Sequence, residues 1–567
     1  MDEAKDWNAL SDDDLFKLWQ DKFRRNLRYR VNIDNIPSGR DLRASTSRKF
    51  LKQIGMNEDL DQLSVIHVTG TKGKGSTCYF TEKILQTCGF KTGMICSPPM
   101  TETRERIRLG GKVVPRRMFA TYGLELLEMF EKVEENFNAV EVDQGGPNVF
   151  NYLMILGLYI FLKEKVDVVI FEVFIGGETD YSNVFRIPTV VGLTTLGMDH
   201  PEHLGNTLES IAWHKSGIAK KDRPYFTLRQ PKGPLKVIAE RTKEIGATPY
   251  VCPPLSAYET DGKAFELGLH GDFQRDNATL AVQMAKRWIE EKHPGRFDFS
   301  DLPGISTAEE GIPVAKPFVL PDAFRQGLKH CSLPGRHEVV RWNHVTFYCD
   351  TATNEMSVAS CKEWFLSEAE EERERLGVPV TRVLMFSMRA KEKTAGVLAK
   401  LADFDFDAAI FCPSWMIAGT LPEAHPYFYT DEEQFNYEGE IKNSEKLKTY
   451  FEEALDKLGK KKRPIVKTAS SIPAALRWAV GTVDDLRDMP PLQACESVDE
   501  ERLDVASHVQ VMVTGNFYIG KLFVTPPRDL GDLRARIDEV VHGRSPTGQR
   551  NDSSHSENHE VEGVDML

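Results

Sequence analysis

The feature that most constrains this chain is a glycine-rich loop between an apolar strand and a helix. Val65–Thr69 is an apolar, mostly β-branched run, and it leads directly into Gly70–Thr77, with the sequence GTKGKGST. Helical spacing of apolar residues follows, so the order is strand, loop, helix. Glycines let backbone N–H groups approach a phosphate, Lys74 supplies a cation, and Ser76 or Thr77 is within reach of a magnesium ion. The pattern predicts a site for a nucleoside triphosphate.

The spacing of this loop differs from the usual long form of the motif. Only two residues separate Gly70 from the Gly73-Lys74 pair, and Gly75 stands between the lysine and Ser76. A glycine-rich turn without function is therefore the alternative interpretation. The required order of strand, loop and helix favours the phosphate site.

Composition indicates a globular protein with more than one domain. The chain has 567 residues with 41% hydrophobic content, which is enough to fill two cores. The formal charge of -13 at pH 7 argues against a general affinity for nucleic acid or anionic lipid. We therefore expect no nucleic-acid partner and no membrane partner.

Cysteine usage and the N-terminal residues suggest the compartment. The nine cysteines are scattered and form no CxxC pair, as is typical of a reducing compartment. Apolar runs are too short or too interrupted to span a bilayer. The first residues are rich in aspartate, unlike an arginine-rich transit peptide. We expect a cytoplasmic protein, and the residues leave a mitochondrial form open.

Polar side chains follow three of the predicted strands. Ser97 comes after the strand Lys91–Cys96, Glu172 lies near the end of the strand Val166–Val173, and His200 follows a third strand. Ligands of open α/β sheets bind where parallel strands end. A buried carboxylate is costly unless a cation or hydrogen bonds compensate it, so Glu172 is a candidate metal ligand or general base. For each of these residues taken alone, a purely structural role is the alternative interpretation.

The alternation of strands and helices defines the expected architecture. We predict an α/β protein with an N-terminal doubly wound parallel sheet that carries the phosphate loop, and a smaller C-terminal α/β, Rossmann-like domain. The expected segments are a helical extension (1–60), the nucleotide-binding domain (61–334), the second domain (335–544) and a disordered tail (545–567).

A set of motifs then places the chain beside a known family. They are VIHVTGTKGKGST, SPPMTETRERIRL, FLKEKVDVVIFEVFIGGETDYSNV, LGMDH, LGNTLESIAWHKSGIAK, GDFQRDNATLAV, LPGRHEV and VMVTG. In this order, from about residue 15 to 530, they resemble folylpolyglutamate synthase of the eukaryotic type, in the Mur ligase superfamily. The resemblance implies an enzyme of one-carbon metabolism. ATP would phosphorylate the γ-carboxylate of a (tetrahydro)folate, and the amine of glutamate would attack the acyl phosphate to give an amide, ADP and phosphate.

The resemblance also implies roles for individual residues. Gly73, Lys74, Gly75 and Ser76 would hold phosphates, Ser97, Glu172 and His200 would bind Mg2+, and Asn277, Arg336 and Asp350 would contact ATP. Lys215 matches a lysine that can be carbamylated to form an anionic bridge to metal, so Lys74 and Lys215 would be the catalytic pair. The resemblance is compatible with a bound monovalent cation as a further cofactor. By analogy only, it implies a monomer.

Several positions depart from the family pattern. Thr353 and Asn516 replace a usual histidine and serine on the side of the incoming glutamate. Phe273 replaces a histidine, Phe174 a glycine, and Phe386–Arg389 (FSMR) a usual Phe-Asn-Ala-Thr run. A mismatched buried polar group costs about 1–3 kcal/mol, so the pattern predicts a working ATP site joined to an altered acceptor site.

Three hypotheses follow for the function. The first is a folylpolyglutamate synthase that tolerates these changes. The second is a divergent ligase of specialised metabolism that joins another carboxylate or another amine. The third is a non-catalytic nucleotide-binding relative, and the presence of Lys74, Glu172, His200 and Lys215 counts against it. The expected ligands are thus ATP with Mg2+, a folate or other carboxylate, and glutamate or another amine.

Overall fold

The computed structural model describes most of the chain. The described residues are 7–26, 42–97, 99, 103–136, 149–260, 262–303, 308–342, 344–390, 394–413, 437–470, 472–480 and 506–515. Asn516 and the predicted disordered tail lie outside them. The chain divides into two compact units, and the change from the first to the second falls between Glu338 and Val339. Within the described ranges, no helix is long and apolar enough to cross a membrane.

The first unit is built on an eight-stranded sheet. Its strands are β1 Val65–Thr69, β2 Thr92–Ile95, β3 Ile107–Leu109, β4 Lys112–Val113, β5 Val168–Glu172, β6 Val190–Leu193, β7 Pro224–Thr227 and β8 Thr248–Val251, in the order β4-β3-β2-β5-β1-β6-β7-β8. In the part of this order that runs β2-β5-β1-β6-β7-β8, each strand is parallel to its neighbours. The pairs β2–β3 and β3–β4 are antiparallel, and the Gly110-Gly111 connection between β3 and β4 is too short for a crossover.

Helices accompany this sheet along the whole unit. They are α1 Asp12–Asn26, α2 Leu42–Gln53, α3 Lys74–Thr87, α4 Arg116–Asn136, α5 Val149–Glu164, α6 Pro201–Leu204, α7 Leu208–Ser216, α8 Lys232–Ile245, α9 Phe273–Lys292 and α10 Asp322–Lys329. Alternate residues of β5 enter different cores, with Val169 and Phe171 in one and Val168 and Ile170 in the other. Both faces of the sheet are therefore covered, as expected for a parallel sheet.

Helix α1 packs into the first of these cores through one face. Leu15, Trp19 and Phe23 recur at a spacing of four residues and are buried, and Trp19 Nε1 donates a hydrogen bond to Tyr152 Oη at 3.0 Å. Leu18 stands next to Trp19 in the sequence, but it is 39% exposed. That residue lies off the stripe defined by positions 15, 19 and 23.

The second unit contains a six-stranded sheet. Its strands are β9 Glu338–Trp342, β10 Val345–Cys349, β11 Val380–Ser387, β12 Ala408–Phe411, β13 Ile465–Thr468 and β14 His508–Gly515, in the order β13-β12-β11-β14-β10-β9. Its helices are α11 Glu355–Leu376, α12 Thr394–Ala402, α13 Tyr437–Leu458 and α14 Ile472–Val480. Strands β10 to β14 pair in parallel, so the predicted α/β class holds for both sheets.

A buried carboxylate joins α11 to the sheet of the second unit. Glu372 is 3% exposed, and it accepts hydrogen bonds from Tyr348 Oη at 2.7 Å, Thr346 Oγ1 at 3.0 Å and Arg341 Nε at 3.0 Å. Burial by itself would raise the pKa of Glu372, but these hydrogen bonds, with one from Gln510, outweigh burial and lower that pKa. The carboxylate therefore stays ionised in the core.

Candidate active site

The candidate site lies where the parallel strands of the first sheet end. Strand β1 pairs with β5 so that Val68 lies opposite Glu172, and with β6 so that Thr69 lies opposite Leu193. Strand β2 ends beside β5 on the other side. Because all four strands run in the same direction, the residues that follow them meet at one edge of the sheet.

The phosphate loop connects β1 to α3 at this edge. Gly73 precedes the first residue of α3 with a φ of 83°, and a Cβ atom there would lie 2.0 Å from Oδ1 of Asn277. Asn277 is buried in α9 and donates a hydrogen bond to Gln274 at 2.9 Å. Only glycine permits this contact between loop and helix. The N-terminus of α3 supplies free backbone N–H groups and a favourable dipole for an anion.

Two lysines converge on one carbonyl oxygen of this loop. Nζ of Lys74 donates to the oxygen of Gly70 at 3.0 Å, and Nζ of Lys215 donates to the same oxygen at 2.7 Å. Lys215 is 1% exposed. Its burial, and next the charge of Lys74, lower the pKa of Lys215 to about 7, although Asp199 and Asp180 act in the opposite direction. A large share of Lys215 is therefore neutral near pH 7.

The loop after β5 holds the turn of α7 that carries Lys215. A Cβ atom on Gly177 would lie 2.7 Å from the carbonyl oxygen of His214 and 2.8 Å from that of Lys215. The N–H of Glu178 donates to the His214 oxygen at 2.8 Å, and Arg241 donates to the Glu178 carboxylate at 2.9 Å. Gly177 thus permits a close approach that places Lys215 under the phosphate loop.

Glu172 is the buried carboxylate at the end of β5. It is 3% exposed, and its Oε2 accepts a hydrogen bond from the N–H of Ser97 at 2.8 Å. Burial raises the pKa of Glu172, while Lys74, the Ser97 N–H, Arg336 and Arg106 act against that rise. The structure therefore brings Ser97 and Glu172 together beside the loop lysine.

The neighbours of His200 are acidic residues close to it in the sequence. Its Nδ1 lies 3.3 Å from Glu202 Oε1, its Nε2 lies 3.6 Å from Asp199 Oδ1, and its side chain is 41% exposed. Across the described part of the chain, no three His, Cys, Asp or Glu side chains form a group that could hold a metal ion. The set of Ser97, Glu172 and His200 as metal ligands stays a prediction.

Sequence reasoning missed the residues that support the loop from β6. The carbonyl oxygen of Thr195 accepts hydrogen bonds from the N–H groups of Thr71 at 3.0 Å and Lys72 at 3.2 Å. Oγ1 of Thr194 donates to the Lys72 oxygen at 2.5 Å, and the buried amide of Gln230 donates to the Thr194 oxygen at 3.0 Å. Two threonines directly after an apolar strand were the only sequence signal, and Gln230 had none.

The predicted residues of the second unit lie at the end of β10. Asp350 is buried, and its N–H donates to the oxygen of Val513 at 3.0 Å. Thr353, at the altered position, is half-buried, and its N–H donates to Oγ of Ser357 at 3.2 Å. The next residue, Asn354, caps α11 by accepting from the Ser357 N–H at 2.9 Å. The contact of Asp350 with ATP stays a prediction.

Phe174, at a position where the resemblance implies a usual glycine, packs into an aromatic cluster. Its ring centre lies 6.2 Å from those of Phe150 and Phe171, and Cζ of Arg106 lies 5.9 Å from it. The residue stands two positions after Glu172. An aromatic cluster therefore borders the candidate site on this side. Strand β11 ends at Ser387, within the Phe386–Arg389 run, and Arg389 is exposed.

The fold and the loop define a class of protein: phosphate-loop α/β proteins with a second α/β unit. Folylpolyglutamate synthase of Mycobacterium tuberculosis, solved in complex with ADP, aligns with a TM-score of 0.63 at 20% identity, over 90% of this chain and 98% of that chain. The enzyme of Thermotoga maritima aligns with a TM-score of 0.55 at 19% identity, over 87% and 94%. At such identities the likeness shows the fold.

Relatives of higher identity show the family. The chain is 41% identical to the mitochondrial folylpolyglutamate synthase of Bos taurus over 368 residues, 64% of this chain and 62% of that protein. It is 35% identical to folylpolyglutamate synthase of Candida albicans over 372 residues, 64% of this chain and 69% of that protein. No protein-family model matches the chain. The chain belongs to the folylpolyglutamate synthase family, and it spans 62% of the bovine protein's length.

Proposed function

We propose that the protein is an ATP-dependent ligase that adds glutamate to the γ-carboxylate of a folate through an acyl phosphate, releasing ADP and phosphate. The observation that carries this proposal is the junction at Gly70. There the phosphate loop, Lys74 and Lys215 meet on one carbonyl oxygen, and the buried carboxylate of Glu172 lies nearby. Membership of the family supplies the substrate class.

The loop residues would act by holding and neutralising phosphate groups. Backbone N–H groups of Gly73, Gly75 and Ser76, at the N-terminus of α3, would bind the phosphates. Lys74 now donates to Gly70, and it would turn to the terminal phosphates when ATP binds. Transfer of a phosphoryl group needs positioning and charge stabilisation more than covalent help, which is what these groups supply. Asn277 and Arg336 would fix the nucleotide beside the loop.

Oxygen groups at this edge of the sheet suit Mg2+. The ion prefers oxygen ligands, and Glu172 offers a carboxylate next to Ser97. The hydroxyl of Thr77 is buried and has no hydrogen-bond partner within the described residues. Its oxygen is therefore available as a further ligand for the ion. Glu172, Ser97 and His200 would hold Mg2+, which when bound neutralises charge on the transferred phosphoryl group.

Lys215 is expected to form a carbamate with CO2. Only the neutral amine reacts, releasing a proton, and burial with the charge of Lys74 lowers the pKa of Lys215 from 10.5 to about 7. The carbamate should therefore be scarce at about pH 6 and increase through about pH 7 to pH 8. The measurement is 13C NMR of the protein in 13C-bicarbonate.

The lysine responsible can be assigned with two variants. Lys215→Arg should remove the carbamate signal. Lys220→Arg should keep it, and Lys220 is a suitable control because burial also lowers its pKa, to about 8. A signal that survives in Lys215→Arg, or no signal at any of these pH values, would contradict the assignment.

Mass spectrometry tests the proposed reaction. Purified protein is incubated with Mg-ATP, a reduced folate and glutamate, while phosphate release is followed. We expect a folate product heavier by one glutamyl unit, with one phosphate released per amide formed. Phosphate release without that product, or no turnover with these substrates, would contradict a folate-glutamate ligase.

A different amine or carboxylate is the second candidate. Thr353, where the resemblance implies a usual histidine, and the Phe174 ring, two residues after Glu172, favour it. Thr353→His combined with Asn516→Ser should then raise glutamate transfer. If turnover appears only when another amine is supplied, the divergent ligase replaces the folate enzyme as the conclusion.

The compartment is tested separately. The bovine relative is named as a mitochondrial protein, whereas the sequence predicts a cytoplasmic one. Fractionation of cells that express the tagged chain would distinguish the two.

A further inference from the structure

Phe273 is an exposed aromatic residue that the proposed reaction does not use. It is the first residue of α9, and its side chain is 40% exposed. Among the phenylalanines that the structure describes, it is the most exposed. Protein therefore covers only part of this ring, and the remainder is accessible to a ligand.

The position of this ring relates it to the phosphate loop. Phe273 and Asn277 are four residues apart on α9, so their side chains lie on the same face, about 6 Å apart at Cβ. The amide of Asn277 lies against Gly73 of the loop. The ring is therefore one helical turn from the groups that would hold phosphates, a separation that the sugar of a nucleotide can span.

The ring is held on one side by its neighbour. The imidazole of His337 lies edge-to-face with it, with ring centres 5.1 Å apart and an interplanar angle of 82°. His337 is itself buried, and its Nδ1 lies 3.1 Å from the carbonyl oxygen of His270. A ring fixed in this way loses little further freedom when a ligand stacks on it.

We propose that Phe273 is the stacking contact for the nucleobase of the bound nucleotide. This proposal depends on the proposed function in one respect, namely that the protein binds a nucleotide. An aromatic face recognises the π-surface of a base and forms no hydrogen bond to its edge. Because phenylalanine does not titrate, this contact should be independent of pH, whereas a histidine, with an ordinary pKa of about 6.5, would change its charge near neutral pH.

The experiment measures binding by calorimetry, without turnover. The probes are Mg-ADP, which carries the base, and inorganic tripolyphosphate, which does not. Phe273→Leu should weaken ADP binding about tenfold, within the range measured for base stacking, and leave tripolyphosphate binding unchanged. Phe273→Tyr should restore ADP binding. Phe273→His should bind ADP with an affinity that changes between about pH 5.5 and pH 7.5, unlike the wild type.

Controls separate this proposal from the proposed function. Val319→Ala, at a residue with a similar 41% exposure, should bind both probes normally. Lys74→Ala should lose both. Equal ADP affinity in Phe273→Leu and the wild type, or a parallel loss of both probes in Phe273→Leu, would overturn the stacking role. A wild-type chain that binds neither probe would instead contradict nucleotide use, and the stacking role with it.

Discussion

Lys74→Ala is expected to lower kcat for phosphate release by at least about 100- to 1,000-fold, the loss usual when one preorganised charge at a reacting group is removed. The lysine stands at the start of α3, and its Nζ is held 3.0 Å from the Gly70 oxygen. From there it can reach a terminal phosphate with little reorganisation. Alanine leaves the loop without its point charge.

The same variant should change Lys215. The charge of Lys74 is one cause of the lowered pKa of Lys215, so its removal should raise that pKa above about 7. Formation of the carbamate should then require a higher pH. This second effect distinguishes loss of the lysine charge from general damage to the loop.

The matched control is Lys83→Ala, at a lysine further along α3. It should retain normal turnover and normal thermal stability. Lys74→Arg keeps the positive charge but not the compact ammonium group, and we expect it to recover only part of the activity. Normal phosphate release by Lys74→Ala would show that phosphoryl transfer occurs elsewhere in the protein.

Glu372→Ala is expected to reduce the free energy of unfolding of the second unit by about 3–5 kcal/mol, the cost of breaking a buried charge network from one side. The substitution removes the acceptor for Tyr348, Thr346 and Arg341, so their donors lose a buried partner. Glu371→Ala changes an exposed neighbour and should cost less than about 0.5 kcal/mol.

Acid should reduce the difference between the wild type and Glu372→Ala. The pKa of Glu372 is lowered in the folded state from an ordinary value of 4.5. The unfolded chain therefore takes up a proton first, and stability is lost as the pH falls below about 4.5 toward the folded pKa. Denaturant unfolding of the three proteins at neutral and acid pH measures both effects. Equal stability of the Glu371 and Glu372 variants would contradict the network's role.

Local chemistry in the sequence determined much of this protein. The strands Val345–Cys349 and Ala408–Phe411 coincide with mostly apolar runs of the sequence. The phosphate loop follows β1 and opens α3, because glycines after a β-branched run act over a few neighbouring residues. Glu172 ends a buried strand, as its apolar neighbours predict. The two-sheet α/β class followed from the alternation of such elements.

Tertiary structure alone decided how these elements form a site. Lys215 bonds to a residue 145 positions away, and Gln230 supports the loop through Thr194. The exposure of Phe273 depends on the same packing. These contacts join residues distant in the chain, so no local pattern specifies them. Burial and neighbouring charge, which lower the pKa of Lys215, exist only after the sheet and helices have packed.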